Sequence, residues 1–526
     1  MSSRRRRRAL VPLILGAGVA LLAIGVSGLG GGGGEARAET TDAFRDVASR
    51  RGLSTTQPAV GSCGFNAAGA AWGDVEGDGD LDLFLPRQQG GSQLWLQGPS
   101  GGFDEGAGEA GLRELGVATA AAFADYDNDG DVDLYVGAAG PDQLLDNDGS
   151  GSFEPRPLHL TPSSDPLAPG GLVAGGAAPT TAVSWSDFDG DGNLDLLATR
   201  GGNCEDEPAP AQNQLYRGLG DGRFEDASRL LPEQPSGGVT LDAVWFDADA
   251  DGAQELYLGN DDLNDRANAL LTPGTSASSR FEDLSAASGA GISRFTMGVA
   301  AGDLDGNELP DLVATDIGRE ALLLQTAPGR FAERAEQLGF GRELAHDDSP
   351  SITWGVALAD FDNDADLDVY TAGGALGRDS DAQDDALYVN DGSGAFEQRR
   401  VPAPGSGRVV APADWDRDGD VDLLVAQLGA QPLLLENRAP AARHWLELTL
   451  VGKSSARQAC GAVVTLRAGG ERQWRSVDCR SGEPTLHFGL GEARRARSLQ
   501  VRWPSGLLQE IDSRRADRRH LIDEPR

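Results

Sequence analysis

The chain of 526 residues carries 82 Asp plus Glu against 45 Lys plus Arg, a formal net charge of −37, with 6% aromatic residues. That surplus of negative charge argues against nucleic acid or an anionic membrane as its ligand, since both would repel it. The length allows more than one domain, and 39% apolar residues suffice for buried cores.

At the N-terminus Arg4 to Arg8 precede an apolar stretch from Ala9 to Val26, a Gly run and Ala36-Arg37-Ala38. A basic start, an apolar run and an A-x-A site predict a signal peptide over residues 1–38. The mature protein is then secreted, periplasmic or on the cell surface, with no integral membrane span. The competing expectation is an uncleaved anchor over Ala9 to Leu29.

From Asp74 to Asp422 the chain repeats one nine-residue loop seven times, Asp-x-Asp-x-Asp-Gly-x-x-Asp, at a period of 51 to 62 residues. Such a period is the length of one supersecondary unit. Positions one, three, five and nine are Asp74, Glu76, Asp78 and Asp82 in loop 1, and Asp125, Asp127, Asp129 and Asp133 in loop 2. Loop 3 has Asp187, Asp189, Asp191 and Asp195, and loop 4 has Asp247, Asp249, Asp251 and Glu255. Loop 5 has Asp303, Asp305, Asn307 and Asp311, loop 6 has Asp360, Asp362, Asp364 and Asp368, and loop 7 has Asp414, Asp416, Asp418 and Asp422.

Position seven accepts Asp80, Asn193, Ala253 or Leu309, which fits a backbone carbonyl ligand beside four side-chain oxygens. Oxygen donors suit a hard cation, and carboxylates this close repel one another without a counter-ion, so up to seven calcium ions are expected. Asp and Gly favour turns without any metal, but turns need one or two such residues and not four at fixed spacing. An EF-hand closes on Glu at position twelve, whereas here that position is Leu85, Val136 or another residue without a carboxylate. The loop must therefore close at position nine inside a β-hairpin. Glu308 and Ala365 replace Gly at position six, so loops 5 and 6 are expected to bind more weakly.

Around each loop lie a small-residue segment, an aliphatic strand, a Leu-rich segment and a Phe, the content of a four-stranded propeller blade. The Phe landmarks are Phe103, Phe153, Phe224, Phe281, Phe331 and Phe396, and the seventh unit lacks one. Phe44-Arg-Asp-Val-Ala, ahead of the first loop, is expected to complete the last blade and close the ring. The fold class is thus all-β, a seven-bladed propeller over residues 39–440 and a small β-domain over residues 441–526.

These units resemble FG-GAP/VCBS repeats, found also in integrin α-chain propellers. The C-terminal segment, with His444-Trp445-Leu446, Cys460-Gly461-Ala462, His487-Phe488-Gly489-Leu490-Gly491 and Trp503-Pro504-Ser505-Gly506, is similar to the ASPIC/UnbV domain of cartilage-acidic-protein-like proteins. The resemblance implies a secreted, calcium-binding, non-enzymatic protein. Cys460 stands where that family usually has an aliphatic residue.

Four cysteines in an exported chain predict two disulfides, with Cys460 and Cys479 the easy pair and Cys63 with Cys204 a longer reach. From Ala441 onward sixteen Lys plus Arg face ten Asp plus Glu, so clusters at Arg494 to Arg497 and Arg514 to Arg519 either dock this segment on the acidic propeller or form a solvated surface. None of the five His has a zinc-ligand spacing, and no G-x-S-x-G elbow occurs. An interaction or adhesion protein binding an extracellular protein or glycan is the leading expectation. An enzyme acting on extracellular polysaccharide and a structural coat component are the alternatives. The long insertions Arg156 to Thr180, Gly201 to Gln212 and Arg342 to Thr353 are the expected ligand-binding loops.

Overall fold

Strands of Ala, Gly and Val alternate with aliphatic strands because the acidic loop between them reverses the chain, and each such pair seeds one sheet. A computed structural model describes residues 39–56, 69–156, 159–160, 178–201, 212–220, 222–233, 239–261, 266–276, 279–341, 350–374, 383–403, 405–438, 443–480 and 484–526. The expected signal peptide and Cys63 and Cys204 lie outside these residues, as do most of the three long insertions.

Seven antiparallel sheets follow one another from residue 71 to residue 437. In blade 2, Ala118–Ala124, Asp133–Ala138, Gln143–Asn147 and Phe153–Arg156 pair in sequence order, and every blade repeats that plan. The first strand of each blade packs against the first strands of the blades before and after it, and that of the seventh packs against that of the first. Small residues permit this: a Cβ on Gly298 would meet the Trp354 carbonyl, and one on Gly355 would meet Val410 N at 2.7 Å.

The seventh sheet, Ser406–Ala413, Asp422–Leu428 and Leu433–Asn437, takes Phe44–Asp46 as its fourth strand, Phe44 pairing with Asn437. The expected completion of the seventh sheet by the Phe44 segment is present. Two blades exceed the expected four strands: Glu39–Thr40 adds in parallel to Phe396–Val401 of blade 6, and His159–Leu160 to Arg223–Asp226 of blade 3. Phe281 precedes the outer strand of blade 4, Glu282–Asp283, and does not lie in it.

Residues 443–526 form two sheets of their own, one of three strands and one of four. They nevertheless share a core with the propeller, in which Leu446, Leu448, Phe488 and Trp503 join Tyr126, Trp185 and Phe224. Trp185 N–H donates to the Cys479 carbonyl at 3.1 Å, a bridge from blade 3 into the C-terminal segment. No helix among the described residues is long and apolar enough to cross a membrane.

Candidate metal centres

Each loop is wound by its own carboxylates. In loop 1 Asp74 accepts the N–H groups of Asp78 at 3.1 Å and Gly79 at 2.9 Å, and Asp78 accepts that of Asp80 at 2.8 Å. Loops 3, 5, 6 and 7 repeat the position-one pattern at Asp187, Asp303, Asp360 and Asp414. Asp82, at position nine, accepts from Val75 at 3.0 Å and from Gln97 on the third strand at 2.8 Å, tying the loop to its sheet. Position nine makes the same reach to the third strand at Asp133, Asp195, Asp311, Asp368 and Asp422.

The winding needs a left-handed residue at position six, where Gly79 has φ +91° and Gly419 +94°, while Glu308 and Ala365 are held at +67° and +94°. Position four is left-handed as well: Gly77, Asn128, Gly190, Ala250, Gly306, Asn363 and Arg417. The sequence reading missed that second requirement because four residue types fill the position.

Wound this way, carboxylates converge. Oxygens of Asp125, Asp127 and Asp133 lie within 4.8 Å of one another, as do those of Asp187, Asp189 and Asp195, of Asp303, Asp305 and Asp311, and of Asp360, Asp362 and Asp368. In loop 4 the cluster is Asp247, Asp249 and Asp251. Glu255 there accepts Ala248 N–H and the Thr272 hydroxyl. Position five is turned toward the N–H of position seven at Asp129, Asp191, Asn307, Asp364 and Asp418.

Several of these oxygens are buried and accept no hydrogen bond: Oδ1 of Asp125, Asp189, Asp247, Asp305 and Asp416, and Oδ2 of Asp133 and Asp422. Burial, reinforced by neighbouring carboxylates, raises Asp82 to about 7 and Asp133 to about 9. Burial raises Glu255 to about 8 and Asp311 to about 8, and it holds Asp195, Asp368 and Asp422 well above the usual carboxylate range. Buried oxygen donors without a proton donor, repelling one another, fit a hard divalent cation, and no thiol or imidazole enters the five clusters named.

The C-terminal segment sits on these loops. Trp445 and His487 make the contact: a Cβ on Gly419 of loop 7 would strike the Trp445 indole, and His487 Nε2 lies 2.7 Å from Asn363 Oδ1 of loop 6. A Cβ on Gly461 would meet Gln254 beside loop 4 at 2.5 Å. Single arginines reach loop carboxylates, Arg457 at Asp125, Arg502 at Asp247, Arg443 at Asp362 and Asp364, Arg472 at Glu308 and Arg519 at Asp414. Of the two arginine clusters, for which the sequence leaves docking and a solvated surface both open, only Arg519 is among them. Arg480 enters the centre of the ring, donating to the Val299 carbonyl at 2.8 Å beside Asp242 at 3.4 Å, and the central cavity there measures about 310 Å³.

Sequence reasoning also missed the amides that staple neighbouring blades. Asn147 Nδ2 donates to the Val75 carbonyl of loop 1, Asn390 to Leu304 of loop 5, Asn437 to Phe361 of loop 6, and Gln97 Nε2 to Trp415 of loop 7. The available signal was an Asn or Gln ending the third strand of those units.

Cys460 and Cys479 form a disulfide with Cα atoms 5.7 Å apart. It ties the Gly461 turn against loop 4 to the segment carrying Arg480.

Compared with known proteins, residues 74–136, 125–198, 187–258 and 303–371 match the FG-GAP-like repeat family, and residues 452–526 match ASPIC and UnbV. Cartilage acidic protein 1 of Xenopus tropicalis is 31% identical over 178 residues, which is 30% of this chain and 26% of that protein, so that match spans about a quarter of the relative. The Mus musculus protein of the same name is 25% identical over 469 residues, 74% of this chain and 70% of that one. Among solved structures, an Agrocybe aegerita lectin described as recognising non-reducing terminal N-acetylglucosamine aligns with a TM-score of 0.40 and 16% identity, over 64% of this chain and 80% of its own.

Proposed function

In a chain that belongs with the proteins joining FG-GAP-like repeats to an ASPIC and UnbV domain, we propose that the seven loops bind calcium and that the protein is an extracellular interaction or adhesion module. The observation that carries the calcium reading is the recurrence of buried, donorless carboxylate oxygens in loop after loop. A cation held by Asp125, Asp127 and Asp133, or by the equivalent residues of another loop, supplies the positive charge that offsets their repulsion. The chain's own part is to wind the loop and fasten position nine to the third strand, so that ion binding rigidifies the blade.

The ligand of this module is an extracellular protein or glycan. The C-terminal segment covers the loop end of the blades, which leaves the opposite end for it. The described ends of the long insertions, Arg156 and Ala178, Gly201 and Gln212, and Gly341 and Pro350, leave the sheets at that opposite end. Export is supported by the disulfide and by the N-terminal sequence pattern.

An enzymatic role has less support. Among the described residues, Asp142 is held by Arg200 and the Tyr135 hydroxyl, Glu320 by Tyr388, Asp385 by Tyr370, and Glu524 by the Lys453, Ser454 and Ser455 amides, each a structural partner. Melting of the full chain in chelator and in millimolar calcium, with equilibrium dialysis to count ions, tests the calcium reading. A melting temperature indifferent to chelator, with fewer than about three ions bound where seven loops of this kind predict up to seven, overturns it. A glycan and protein binding screen with product analysis tests the interaction role, and turnover of a polysaccharide would replace it.

A further inference from the structure

A carboxylate has two oxygens, and in three loops the C-terminal segment takes one of them. Asp125 Oδ2 accepts Gly130 N–H at 3.1 Å and lies 3.4 Å from Arg457 Nε. Asp247 Oδ2 accepts Gly252 N–H at 3.1 Å and meets the Arg502 guanidinium at 2.5 Å. Asp414 Oδ2 accepts Gly419 N–H at 3.1 Å and lies 3.5 Å from Arg519, but its Oδ1 accepts Asp418 N–H at 3.1 Å and Arg519 pairs more closely with Glu447, so loop 7 differs from the other two. The other oxygen, Oδ1, of Asp125 and Asp247 is buried and accepts no hydrogen bond.

We infer that the C-terminal segment completes the cation sites of loops 2 and 4, with Arg457 and Arg502 as positioning residues that hold the position-one aspartate by Oδ2 and leave Oδ1 for the ion. The inference rests on the calcium reading of the loops. A partner that fixes the outer oxygen of a ligand carboxylate sets its orientation, and losing such a partner weakens metal binding. Repulsion between guanidinium and cation does not reverse the sign. Each of these loops has four carboxylates at its ligand positions, so once the ion displaces the proton held at position nine, three negative charges remain after the arginine pair, more than a divalent ion carries.

Because ion and arginine share one carboxylate, loading and docking stabilise each other by the same factor. Loop 1 serves as an internal control, because Arg417, which pairs with its Asp80, comes from the propeller itself.

The test uses the full chain, calcium as the probe, and Arg502→Gln and Arg457→Gln, with the exposed Arg467→Gln as control. Calcium affinity is read by competition with a chelating dye, and amide hydrogen exchange is followed in residues 454–462 and 500–503 with and without calcium. Each of the two Gln variants is expected to weaken one site by roughly 10–100-fold and leave the rest, while Arg467→Gln changes nothing. In the unaltered chain, chelator is expected to speed exchange in both segments, a readout that needs no variant. Unchanged or tighter binding in both variants, or exchange indifferent to calcium, overturns the inference and leaves the calcium reading standing. Failure of the unaltered chain to bind calcium overturns both.

Discussion

Replacing Asp133 by Asn separates a metal ligand from a structural acceptor by the sign of its effect. Asp133 is 2% exposed; its Oδ1 accepts Asn147 N–H at 2.9 Å, and its Oδ2 accepts nothing. Asn retains the first bond and removes the charge. Burial and the carboxylates of Asp127, Asp146 and Asp129 raise Asp133 from 3.8 to about 9, so without metal the folded chain takes up a proton there at neutral pH. That uptake costs on the order of 4 kcal/mol at pH 7. In chelator, Asp133→Asn is therefore expected to stabilise the protein by up to that amount. In calcium it removes a ligand and forfeits the binding contribution, about 2.7 kcal/mol at a hundredfold excess over Kd. Urea unfolding in both conditions measures the two numbers. Equal destabilisation with and without calcium would refute the reasoning and make Asp133 a plain hydrogen-bond acceptor.

The chelated protein is expected to lose stability as pH rises from about 5 to 8, because the raised carboxyls Asp82, Glu255 and Asp311 leave the folded chain with more bound protons than the unfolded one across that window. Melting at the two ends of the range checks this, and calcium should shrink the difference. Ala365→Gly relieves an L-residue held at φ +94° and is expected to stabilise by about 1 kcal/mol, read as an upward shift in melting temperature. Cys460 and Cys479, 19 residues apart, should resist thiol labelling until reduced, and Cys460→Ser should cost about 3 kcal/mol. Quantitative labelling of the unreduced protein would contradict that pairing.

The repeat, the loop positions and the completion of the seventh sheet by Phe44 were legible in the sequence because each rests on local spacing. A carboxylate at position nine and a Phe at a strand start recur at fixed offsets, and a periodic pattern needs no tertiary information. What covers the loops was not legible. Arg457, Arg502 and Arg443 are isolated arginines in sequence, less conspicuous than the cluster at Arg494 to Arg497, and only folding brings them to separate loops. The left-handed position four was hidden for a different reason. Asn128, Ala250 and Arg417 adopt that backbone because the hydrogen bonds around them impose it, and residue type alone does not announce it.

The strand Phe44–Asp46 is among the first of the propeller to be synthesised and pairs with the last. Asp46 Oδ1 accepts the amide of Leu434, 388 residues further along the chain. Blades 1 to 6 can form in order as the polypeptide appears, but the seventh keeps an open edge until that early segment returns to it. Ring closure is therefore the most non-local step of folding and the one that chain entropy slows most. Until it occurs, the Leu433–Asn437 edge offers the same register to the Phe44 strand of another molecule, so crowded refolding should yield strand-exchanged dimers that dilution before refolding suppresses.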